Sequence, residues 1–220
     1  MKMKLFVVLS IILMIGSYAH ATEEGDLQFW TNTKISFKMN QDWNFSFNEE
    51  LRYEDDMDKL CYYHSDVGVS SSSLIDGVKT GFNYRLYNHR SDNGPWHRVH
   101  SPHINLTFKG KIFDVPVSNR CRFQFIDNKD KPDLWKFRNK VTIKLDDFFK
   151  IGGLKPYVSD EFFINLADDT QINRNRLSAG LSYKINSNTS INTFYLWQTS
   201  KSGNNWKDID VIGLSLSIKF

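Results

Sequence analysis

The chain ends Ile212-Gly213-Leu214-Ser215-Leu216-Ser217-Ile218-Lys219-Phe220. In an extended strand, side chains alternate between two faces. Ile212, Leu214, Leu216, Ile218 and Phe220 therefore make one apolar stripe. Gly213, Ser215, Ser217 and Lys219 make the small or polar opposite face. Period two over nine residues is a strand signature and excludes an amphipathic helix, whose apolar positions recur every three to four residues.

Read backward from this stretch, the same pattern recurs along most of the chain. In 134–145, Trp135, Phe137, Val141, Ile143 and Leu145 alternate with Lys136, Arg138, Lys140, Thr142 and Lys144. In 26–39, Leu27, Phe29, Ile35, Phe37 and Met39 oppose Gln28, Asn32, Lys34, Ser36 and Lys38. Strands are expected near 26–39, 43–54, 61–71, 77–88, 98–109, 115–126, 134–145, 154–165, 172–185, 189–200 and 207–220. Soluble strands average about five or six residues, whereas a tilted strand needs about nine to eleven to cross a bilayer. No ten-residue helical pattern occurs after residue 25, although the connection 146–153 has room for one helical turn.

Tight connections (40–42, 72–76, 110–114, 186–188) alternate with more polar, often longer ones (55–60, 89–96, 127–133, 167–171, 201–206). The expected fold class is all-β, an antiparallel transmembrane up-and-down β-barrel of about 10–12 strands. A barrel of this size could not fill its interior with the apolar faces, but lipid satisfies them on the outside. Eleven segments conflict with the even strand number of single-chain bacterial barrels. The segment 26–39 then lies in the lumen, adds at the seam, or pairs with a strand hidden in the sequence.

The N-terminus has a separate purpose. Lys2 and Lys4 precede an apolar run over 5–15, and Ala19-His20-Ala21 follows as an A-x-A cleavage site. This is the pattern of a secretory signal peptide, and the run is too short for a spanning helix. The domains are therefore 1–21, signal peptide, and 22–220, outer-membrane barrel of a Gram-negative cell. Removing Lys2 and Lys4 lowers Lys+Arg from 28 to 26 against 25 Asp+Glu, so the mature chain is near neutral. No nucleic-acid partner is expected. The final strand ending in Phe220 resembles the signal read by the barrel-assembly machinery. Outer-membrane lipids and lipopolysaccharide are the other expected partners. Cys61 and Cys121 fall on strands separated by two others, so they lie roughly 14 Å apart or more, beyond the about 7 Å a disulfide allows.

The face expected to line the lumen is basic. Arg120 and Arg122, Arg138 and Lys140, and Arg174 and Arg176 are pairs two apart, so each pair points one way. Their acidic partners would be Glu50, Asp66 and Glu161. One reading is a pore or pocket for a small anionic solute; the other is a packed polar interior of compensated charges. Glu49 and Asp160 fall on the apolar face, where a bulge or a rim position would accommodate them; the other reading is a functional acid facing the outer leaflet. An enzyme reading rests on His89 and Ser91, the His-x-Ser spacing of outer-membrane phospholipases and lipid A deacylases. The alternation of 77–88 turns both toward the lumen, whereas lipid substrates require them outside. No metal site and no cofactor are expected: His97, His100 and His103 scatter over both faces, and His64 with Asp66 are only two ligands.

Several landmarks carry a family resemblance: Phe29-Trp30-Thr31, Glu49-Glu50-Leu51-Arg52-Tyr53, Tyr63-His64-Ser65-Asp66 and Trp135-Lys136-Phe137-Arg138-Asn139-Lys140. Asp160-Glu161-Phe162-Phe163, Asn173-Arg174-Asn175-Arg176-Leu177 and Tyr195-Leu196-Trp197-Gln198 complete them. From about Asp26 to Phe220 the chain resembles an uncharacterised bacterial outer-membrane family, the domain of unknown function numbered 2490. The resemblance implies an outer-membrane barrel and supplies no activity. Three functions remain open: a narrow anion-preferring channel or small ligand-binding barrel, a lipid hydrolase, and a structural barrel that presents its loops.

Overall fold

The computed structural model describes residues 25–90, 94–128, 132–146, 153–166, 171–203 and 205–220. The signal segment, Ser91 and the helical turn expected in 146–153 lie outside the described residues. Eleven strands form: β1 (Asp26–Lys38), β2 (Trp43–Glu54), β3 (Lys59–Ile75), β4 (Val78–His89), β5 (His97–Ile112) and β6 (Val115–Asn128) follow in order. Then come β7 (Leu134–Lys144), β8 (Leu154–Asn165), β9 (Ile172–Lys184), β10 (Thr189–Ser202) and β11 (Asn205–Lys219). No helix among the described residues is long and apolar enough to cross a membrane, which leaves strands untouched.

Local chemistry ends the strands. Asn40 Oδ1 accepts bonds from the backbone N–H of Asp42 and Trp43 at 2.9 Å. Asn186 does the same for Asn188 and Thr189 at 2.9 and 2.8 Å. These Asx turns reverse the chain with a side chain standing in for backbone. The turns expected at 72–76 and 110–114 are tighter than the polar residues suggest. β3 runs on to Ile75 and β5 to Ile112, leaving two-residue reversals. Phe113 and Asp114 take φ of 49° and 68°, the left-handed pair that matches strand twist. Gly203 at φ 62° likewise lets β10 and β11 meet across only 203–204, although a long polar loop was expected there.

The strands close as one barrel, each beside its sequence neighbours, with β1 against β11. The closure corrects the expectation of an all-antiparallel, even-numbered sheet. In a meander of eleven strands the first and last run the same way, so the seam must be parallel. β1 pairs β11 in unbroken parallel register from Asp26↔Ile209 to Ser36↔Lys219. Its other edge pairs antiparallel with β2 from Phe29↔Tyr53 to Lys38↔Asn44. Of the three places open to segment 26–39, it takes the seam. Phe220 completes the join: its N–H donates to Ser36 O, its carbonyl accepts from Lys38 N, and its ring stacks on Phe37 at 5.3 Å. One consequence is that Asp26 and Phe220 lie at opposite ends of the barrel.

Alternation holds around the ring. Phe82, Ile104, Phe123, Trp135, Ile212 and Leu214 are among the large apolar residues exposed on the outer face. Neighbouring strands pair aromatics there, such as Phe123 with Phe137 and Phe125 with Trp135, at 5.0 and 5.1 Å between centroids. Strands about 4.8 Å apart and tilted about 40° close at a backbone radius of about 11 Å. Long side chains from facing walls therefore reach across much of the lumen.

Two corrections concern the acids on the apolar face. Glu49 and Asp160 lie mid-strand in regular ladders, with no bulge at either. The irregularities fall elsewhere, at Arg52/Tyr53 and Phe163/Ile164. Asp160 stays outside and accepts a bond from Asn175 Nδ2 at 2.9 Å. Asn119 and Asn139 bond each other there at 2.9 and 3.2 Å. These outward polar groups are matched pairwise across strands. Both cysteines are free thiols.

Candidate functional site

Register places the basic residues. On β6 and β7, Arg120 lies directly across from Lys140, and Arg122 across from Arg138. On β8, Glu161 stands between Lys140 and Arg176, and Phe163 between Arg138 and Arg174. Cross-strand neighbours on one face sit about 4.5–5.5 Å apart at Cβ, and like charges there repel. These six cations share their stretch of wall with one acid, Glu161. Glu161 Oε1 accepts from Arg138 at 2.9 Å and from Arg120 at 3.1 Å, and Arg176 lies 3.8 Å from Oε2. Arg176 also donates to Gln198 at 2.7 Å, Arg174 to Ser200 Oγ at 3.0 Å, and Arg122 to Asn105 Oδ1 at 2.7 Å. Among the described residues Arg122 and Lys140 have no ion pair within 4 Å, and Arg138 Nε is buried without an acceptor.

Across β2 to β5 each of the two lumen acids, Glu50 and Asp66, has its own arginine. Arg52 Nε donates to Glu50 Oε1 at 2.6 Å. Asp66 takes Arg85 Nε at 3.0 Å and Asn83 Nδ2 at 2.8 Å, with His103 Nε2 at 3.6 Å.

A layer of rings and guanidinium planes crosses the lumen at mid-height. Trp30 lies between Arg52, 3.7 Å from its centroid, and Arg176, 4.8 Å away. Arg52 also covers Tyr62 at 4.4 Å, and Phe163 takes Arg138 and Arg176 at 4.5 and 4.8 Å. Stacking on aromatic faces suits weakly hydrated guanidinium better than ammonium, so arginine holds this layer. Trp30 and Phe163 are 6% and 3% exposed, and His64 is fully buried.

A cavity of about 570 Å³ occupies the lumen from this layer toward the Phe220 end. Its lining carries ten cations: Lys34, Arg52, Lys79, Arg85, Lys109, Arg120, Arg122, Arg138, Lys140 and Arg176. Three acids oppose them, Glu50, Asp66 and Glu161. Lys34, Lys79 and Lys109, nearest the Phe220 end, are exposed and form its mouth. Arg174 does not line it; with Lys136 it lies on the Asp26 side of the layer.

A family model described as protein of unknown function (DUF2490) matches residues 27–208. The chain belongs to the DUF2490 family. No curated protein matches it. The matched part includes every acid and base of the DUF2490 lumen named above and stops short of the apolar stripe ending at Phe220.

Of the remaining sequence candidates the structure places the histidines. His89 pairs in register with His97, their rings 5.6 Å apart, and it stacks on Tyr87 along the lumen face. Its partner Ser91 is outside the described residues. No group of three or more metal-ligating side chains occurs among the described residues. Sequence reading passed over Trp30, Phe163, Phe194 and Leu196 as lumen residues. Their signal was available: each falls on the polar parity of its strand, so alternation turns it inward.

Proposed function

We propose that this barrel sits in the outer membrane and binds a small anion in its lumen, taken up from the Phe220 end. The observation that carries the reading is the cavity, whose ten cations and three acids sit over a packed layer. The exposed apolar and aromatic exterior, the strand lengths and the export pattern at 1–21 support the membrane location. With its C-terminal strand inserted as in other bacterial barrels, the Phe220 end faces the periplasm. The mid-height layer of Trp30, Arg52, Arg176 and Phe163 favours a one-sided binding pocket over an open pore. Like charges at neighbouring positions are costly without a counter-charge, and a bound anion supplies one.

Purified mature protein should fractionate with the outer membrane and migrate heat-modifiably on gels. Deleting Phe220 should reduce insertion more than any loop substitution. In planar bilayers it should show no steady current, while anions bind the folded protein. Recovery as a soluble periplasmic protein would refute the location. A steady cation-selective current would refute the basic pocket.

A further inference from the structure

The cavity has a second wall. Trp30 on β1 and Phe194 and Leu196 on β10 line it together with Arg120, Arg122 and Lys140. Around the ring β6 is five strands from β1 in one direction and five from β11 in the other. The basic wall of β6 and β7 therefore faces the seam, where Trp30, Leu196 and Val211 pack with Phe194 and Ile209. The backbone is cut to fit this wall. A Cβ at Gly213 would collide with the Phe194 ring, so only glycine on β11 lets that ring lie flat against the seam. Inner faces of water-filled barrels are otherwise polar. An apolar surface opposite cations that outnumber their acids fits a two-sided ligand.

We infer that the ligand is an amphipathic organic anion, an acidic head on a ring or short alkyl body. The head meets Arg122, Lys140 and Arg120, which Glu161 only partly neutralises. The body lies against Phe194, the half-buried ring of that wall, and removes its remaining apolar surface from water; Leu196 beside it is already buried in the seam. An inorganic anion would meet the same cations and leave the seam wall wetted. The cavity volume lies within the range that holds a ligand of this kind. This inference rests on the anion-binding reading above.

The test is calorimetric titration of the whole mature barrel in amphipol with three probes: naphthoate, naphthylmethanol and inorganic phosphate. Wild-type protein should bind naphthoate about tenfold or more tighter than either of the others, because each of those lacks one half of the recognition. Phe194→Ser should weaken naphthoate about fivefold or more, with phosphate affected less than about twofold. Arg122→Ser should weaken both anions. If Phe194→Ser does not assemble, the wild-type comparison of the three probes still decides. Equal binding of phosphate and naphthoate would overturn the inference and leave the anion pocket standing. Equal binding of naphthylmethanol and naphthoate would overturn it too. Binding of neither anion would overturn the pocket itself.

Discussion

The two halves of the lumen wall handle charge differently. From β2 to β5 each acid is matched by an arginine within reach, Glu50 by Arg52 and Asp66 by Arg85. From β6 to β9 three arginines share Glu161, and Arg122, Lys140 and Arg174 add three cations with no acid within 4 Å among the described residues. Both halves derive from the same strand alternation, so the polar face by itself does not distinguish them. The difference is stoichiometric. Apart from Lys79 and Lys109 at the mouth, the first wall is balanced as folded, and buried pairs of that kind hold one arrangement of side chains. An unbalanced wall is left with cationic capacity that a ligand can use.

The largest expected effect breaks the comparison at its centre. Glu161→Gln leaves Arg120, Arg138 and Arg176 without their shared acid, at a cost of about 3–5 kcal/mol for the buried charges. It should appear as a lower temperature for loss of the fast-migrating folded form on gels. Asp66→Asn strands one arginine and should cost less. An equal or greater loss for Asp66→Asn would mean that the two halves do not differ in this way.

A smaller effect separates binding from stability. Arg122→Ser with Lys140→Ser should weaken naphthoate binding about tenfold or more, through lost charge attraction. Folding stability should stay level or rise by up to about 1 kcal/mol, since two like-charged neighbours are relieved. Wild-type binding should also weaken as salt rises, because the exposed mouth is screened. The loss caused by Asp66→Asn should change little with salt, because its pair is buried. A marked fall in stability for the double variant would show that these cations are structural.

The smallest effect comes from the adjacent residue outside. Asp160→Asn keeps a partner for Asn175 and should shift stability by no more than about 1 kcal/mol. Melting curves of Asp160→Asn and Glu161→Gln together compare the outer and inner faces of one strand. A loss for Asp160→Asn near that of Glu161→Gln would assign the charge network to the wrong face.

Much of the barrel is legible in the sequence. The stripe from Ile212 to Phe220 and its counterparts located all eleven strands. The parity of Arg120, Arg122, Arg138 and Lys140 sent them to one face, and the two strands between β3 and β6 kept Cys61 and Cys121 apart. Reading was weaker where a local residue can adopt two conformations. Phe113 and Asp114 at positive φ shortened a turn that polarity had lengthened, and Gly203 did the same. The bulge or rim position expected for Asp160 did not form: the ladder is regular there, and Asn175 bonds the carboxylate in place.

Strand count, face assignment and excess of lumen cations follow from the sequence itself, because a period of two fixes side-chain direction residue by residue. Strand partners do not follow from it. The parallel seam of β1 and β11 joins residues about 180 apart in the chain, and no local pattern distinguishes it from a strand in the lumen. Closure also decided which walls face each other. It set Arg122 and Lys140 opposite Phe194 and Leu196, and it stacked Trp30 between arginines from β2 and β9. The physical reason is that local alternation depends on two backbone angles per residue, whereas the pocket depends on distances across the barrel, which exist only once the ring has closed.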